Sequence, residues 1–212
     1  MNPWRRPALW LEFILIFAGT PLLILLVKDR WLMVGILWAG AAGAYLYSRR
    51  FNHDKAPEDR TFREKIKYVL VRFAVLAPII AAAAWKTMPG SFLSFPRERP
   101  GIWILVMVLY PVLSVWPQEM IYRAFVCNRY RPLFGVGGGY ILASALAFGY
   151  MHIVFINSVA VVMSVLGGLL FAWNYARHRS LGLVSIEHAL YGCLIFTVGL
   201  GRFFFIGAAW GS

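Results

Sequence analysis

Two opposite charges stand one helical turn apart in "VWPQEMIYRAF", where Glu119 and Arg123 interrupt an otherwise apolar stretch. Further along the chain come His152, at the end of "FGYMH", and Glu187 with His188, while Gln118 and Asn157 add two amides. Ionisable side chains are costly inside a bilayer, so each marks a functional site by default. A carboxylate and an imidazole can share one water and deprotonate it, while a second imidazole donates to the oxyanion that forms. Glu119, His152 and His188 are the candidates for that chemistry, and Arg123 would keep the carboxylate ionised. The plainer reading of Glu119 with Arg123 is an intrahelical ion pair that only neutralises itself. Glu12 lies near the start of its apolar run and could reach the interface, which is reason enough for its presence there.

The elements that must hold these residues follow from composition. Of 212 residues, 60% are hydrophobic and only 14% charged, and the mean hydropathy is +0.66. That balance describes a chain in lipid rather than a soluble domain. Apolar runs at 7–27, 31–47, 68–85, 102–116 and beyond, 140–155, 159–173 and 181–200 predict about seven membrane-spanning segments, with the 203–206 tail a weaker piece. None shows the alternation of a barrel strand, so the expected fold is an all-α, polytopic bundle forming a single integral membrane domain over 1–212. The net charge of +12 collects at the ends of these runs rather than on one soluble face. It therefore reads as a positive-inside bias and not as a nucleic-acid surface, and it predicts a cytoplasmic amino terminus. The first apolar stretch exceeds a signal-peptide core and lacks a cleavage site, so it reads as a retained helix. The polar segment from Arg49 to Lys67 is expected to be a cytoplasmic loop, with room for a helix resting on anionic headgroups. Cys127 and Cys193 offer neither a disulfide framework nor a CxxC metal site, and "GVGGG" at 135–139 reads as a turn into the next helix rather than a phosphate loop.

Depth brings the polar residues together. With Pro117 read as the first turn of a helix running to Arg131, Glu119 lies ~18 Å from the inside end, His152 ~22 Å and His188 ~13 Å. Glu119 and Arg123, Phe148 and His152, and His188 and Gly192 each share a helix face. One cavity between helices, open toward the inside, is the expected result. Ala145 with Gly149, and Ser164 with Gly168, have the small-xxx-small spacing of closely crossing helices.

"QEMIYR" at 118–123, "FGYMH" at 148–152 and "HALYG" at 188–192 resemble the motifs EExxxR, FxxxH and HxxxN of the CAAX-processing and bacteriocin-processing (Abi) intramembrane endopeptidases, which include the type II CAAX prenyl endopeptidases. The resemblance spans roughly 102–200. It implies catalytic roles for Glu119, Arg123, His152 and His188, with Phe148 in support, and an integral enzyme of the plasma or inner membrane. By the same likeness the substrate is a membrane-associated peptide or protein, cut by glutamic-type hydrolysis at Glu119 and His152. Gln118 stands where the family has the glutamate held to activate water, and Gly192 where it has an asparagine held to help bind the oxyanion. Glu187 and Asn157 are candidate substitutes. The departures keep a second reading open, a non-hydrolytic scaffold or binding partner, beside a less favoured small transporter. No cofactor is expected; zinc on Glu119, His152 and His188 is the lesser alternative, because no HExxH spacing accompanies them.

Overall fold

The computed structural model describes residues 5–51, 61–205 and 210. Among them the regular structure is helical throughout, without a strand. Six helices are long and apolar enough to cross a membrane: α1 (Arg6–Val27), α2 (Arg30–Arg50), α3 (Phe62–Thr87), α4 (Pro100–Arg129), α5 (Gly138–Phe155) and α6 (Ser158–His178). A seventh, α7 (Leu181–Thr197), is apolar but shorter. The protein is thus an all-α polytopic membrane protein. Part of the expected cytoplasmic loop, 52–60, lies outside the described residues, as does Ile206 of the tail, while α3 starts within that loop at Phe62.

The helix ends follow local chemistry. Thr61 and Glu64 form a reciprocal capping box that starts α3. Asn157 accepts from the Ala160 amide at 2.8 Å to start α6, and Ser180 accepts from Leu183 to start α7.

Proline shapes the interiors. Pro117 does not begin a helix, contrary to the expectation above, because α4 runs continuously through it. The turn before it, Pro111–Val115, is π-helical. A proline lacks the amide that would bond four residues back, and its ring collides with that carbonyl. The wider π turn carries Leu113, the carbonyl concerned, out of the way. α1 repeats the device, with π-helical Leu15–Gly19 just ahead of Pro21. A third π stretch, Met120–Phe125, precedes no such proline. It holds Arg123.

Packing concentrates in the second half. α5 and α6 form the closest pair: a Cβ on Gly149 would lie 2.2 Å from Val165 Cγ2, and one on Gly168 would lie 3.0 Å from Ala145 Cα. The small residues singled out by spacing therefore serve backbone approach. α4 touches α2, α5 and α7, α3 packs on α7, and α1 rests on α5. Glu12 does not stand alone at an interface: it accepts from Arg129 Nε at 2.9 Å and Tyr130 Oη at 3.0 Å, tying α1 to the end of α4. Only 11% of the most apolar 18-residue stretch of α3 is buried, as in α2 and α4, against 39% for α5 and α6, so α3 leaves most of its apolar surface outside the core.

Candidate active site

His152 is positioned by the way α5 ends. The helix tightens there, and the His152 amide donates to the Gly149 carbonyl three residues back. That frees the Phe148 carbonyl, its partner in a regular α-helix, and the imidazole Nδ1 takes it at 2.7 Å. A carbonyl only accepts, so Nδ1 carries the hydrogen and Nε2 of the neutral ring keeps its lone pair. The turn is completed by Ile156 at φ 53°, a left-handed conformation uncommon for a β-branched residue, before Asn157 caps α6.

His188 is oriented from both sides. Its Nδ1 lies 2.8 Å from Glu119 Oε1, and its Nε2 lies 3.2 Å from Tyr110 Oη. Phe171 stacks on the ring at 4.6 Å, and Phe148 meets it edge-on. The second oxygen of Glu119 lies 3.0 Å from Arg123 Nε, an ion-pair distance off the line of a hydrogen bond. Neither member of that pair has any solvent exposure. Arg123 Nη1 donates to Ser144 Oγ, which donates on to the Tyr122 carbonyl. The guanidinium carbon sits 4.7 Å from the centre of the Phe148 ring. A buried arginine thus gains a carboxylate, a hydroxyl and an aromatic face.

These groups border a cavity of about 650 Å³ whose wall includes Tyr110, Gln118, Phe148, His152, His188 and Gly192. The rest of the wall is apolar or weakly polar, and among the described residues it carries no Asp, Glu, Lys or Arg. Gln118 donates to Ser114 Oγ at 2.7 Å, and both residues lie on the wall.

Residues 100–194 match the family model "Type II CAAX prenyl endopeptidase Rce1-like". That segment, a little under half of the chain, is similar to the Rce1-like family. No curated protein and no solved structure matches the chain.

Within the Rce1-like segment the structure brings Glu119, Arg123, Phe148, His152 and His188 together, but in unequal positions. Glu119 does not face the cavity as expected; Gln118 does, and Glu119 lies behind it with one oxygen toward His188 and the other toward Arg123. Adjacent residues differ by about 100° around a helix, so only one of the two can look inward. Glu187 and Asn157 do not substitute for the missing groups. Glu187 faces α3 and α6, where it pairs with Arg72 and accepts from Asn174. The Asn157 amide is spent on the Ala160 cap and on the Phe155 and Phe203 carbonyls. Among the described residues no three His, Cys, Asp or Glu side chains gather as metal donors, and His188 has both nitrogens turned to protein partners. Tyr110 was not foreseen: an aromatic residue in an apolar run carries no mark, and its one signal is Gly192, which leaves room for it from another helix.

Proposed function

We propose that the protein is an intramembrane endopeptidase of the CAAX kind that hydrolyses a peptide bond in a membrane-associated peptide or protein, in the plasma or inner membrane, with its amino terminus in the cytoplasm. The observation that carries the reading is His152: its Nδ1 is spent on the Phe148 carbonyl, and the ring borders a largely apolar cavity. Nε2 takes the proton of a bound water as the oxygen attacks the substrate carbonyl, then returns it to the departing amine. Glu119 supports this from behind by fixing the tautomer and tilt of His188, and Arg123 holds Glu119. The family likeness supports the peptide substrate and its CAAX character.

A second reading, binding without hydrolysis, draws on the absence of a carboxylate from the described wall and on Gln118 standing there. Cleavage of a prenylated peptide with a CAAX ending by the purified protein separates the two. Hydrolysis is expected to fall about 10²- to 10⁴-fold in His152→Ala and to rise in Gln118→Glu, which places a carboxylate beside the water. Background-level cleavage by the natural protein and by Gln118→Glu, with the peptide still bound, would establish the scaffold instead.

A further inference from the structure

Tyr110 closes the first stretch of α4, immediately before the widened turn Pro111–Val115, and reaches across to α7. Gly192 makes the room. A Cβ there would lie 2.3 Å from Tyr110 Cε1 and 2.4 Å from its Oη, so any larger residue would displace the ring. Phe196 holds the other side edge-on at 5.2 Å. The hydroxyl is thereby fixed 3.2 Å from His188 Nε2, and both groups border the cavity.

We infer that Tyr110 is the hydrogen-bond donor to the oxyanion that forms when water attacks the substrate carbonyl, an assignment that rests on the hydrolytic reading above. Because Nδ1–H of His188 is committed to Glu119, the contact between Nε2 and the phenol runs through one proton. When His188 is neutral, the phenol donates to Nε2. When His188 is protonated, Nε2–H donates to the phenol oxygen, and the phenol's own hydrogen turns into the cavity. Glu119 and Arg123 cancel in charge, so protonated His188 leaves the group with one net positive charge, the complement of one oxyanion. In the step itself the water oxygen bonds to the carbonyl carbon, the carbonyl π pair moves to oxygen, and the water's proton passes to His152 Nε2. The hydroxyl donates without releasing its proton. Collapse then re-forms the carbonyl, breaks the C–N bond and returns the proton from His152 to the amine nitrogen.

The test compares two probes on the purified full chain: a prenylated CAAX-type peptide and its phosphinate analogue, whose tetrahedral anionic oxygen imitates the oxyanion. Tyr110→Phe keeps the ring in the Gly192 notch and removes only the hydroxyl. It is expected to lower kcat about 10²- to 10³-fold with little change in KM, and to erase most of the natural protein's preference for the phosphinate over the peptide. Gly192→Ala, which keeps the hydroxyl but pushes it from its place, should erode the same preference and guards against a folding defect in the first variant. An unchanged phosphinate-to-peptide affinity ratio in both variants would overturn the assignment, whether or not cleavage occurs. Absence of cleavage by the natural protein, with a Tyr110-dependent phosphinate preference intact, would instead overturn hydrolysis and leave Tyr110 as the donor to the bound anion.

Discussion

Arg123 is one half of an ion pair sealed entirely inside the protein. It has no exposed surface, and its principal charge partner is Glu119. Removing one member of such a pair leaves the other charged and dry, at a cost of about 3–5 kcal/mol. Arg123→Leu is therefore expected to accumulate poorly and to unfold at a lower temperature in detergent. Combining it with Glu119→Gln should recover part of that stability, since both charges then leave together. Activity should not return, because His188 loses the carboxylate that orients it. Full recovery of cleavage in the double variant would show that Glu119 contributes only to folding.

At the scale of helices, the fit of α5 against α6 decides where His152 ends up. Gly149 meets the backbone of Val165 at 3.2 Å and its Cγ2 at 2.2 Å, measured from the place a Cβ would take. Alanine is favoured over glycine in a helix by about 1 kcal/mol, but overpacking of this kind costs about 1–3 kcal/mol. Gly149→Ala should therefore be destabilising on balance, and Val165→Ala, which removes the colliding methyl, should restore much of the loss in thermal unfolding. Spacing alone marked these small residues, because a period of four is visible in any helix. The interior of α4 was less legible. Pro117 signals a helix start as readily as it signals a π turn upstream, and the choice depends on neighbours that hold the helix together across it. The same ambiguity in phase hid which of Gln118 and Glu119 looks into the cavity. Tyr110 was hidden for a different reason, since its role is defined by a residue on a helix 82 positions away in sequence.

Over the whole molecule, the alternation of apolar runs and basic connections made the membrane fold readable, because bilayer thickness imposes helix length directly. It also supports the proposed sidedness. With the amino terminus inside, cysteines introduced at Lys65 and at Arg131 should be shielded from an impermeant thiol reagent in intact cells, while one at Arg97 should react. The reverse pattern would invert the proposed orientation. The make-up of the cavity wall has a further consequence. With no Asp, Glu, Lys or Arg on its described surface, mobile counterions have little there to screen while its histidines are neutral, although the Debye length shrinks from about 10 Å at 0.1 M salt to about 3 Å at 1 M. The equilibrium affinity for a neutral peptide should accordingly stay flat across that range of ionic strength. In Gln118→Glu, the affinity for a cationic peptide should acquire a salt dependence that the natural protein lacks.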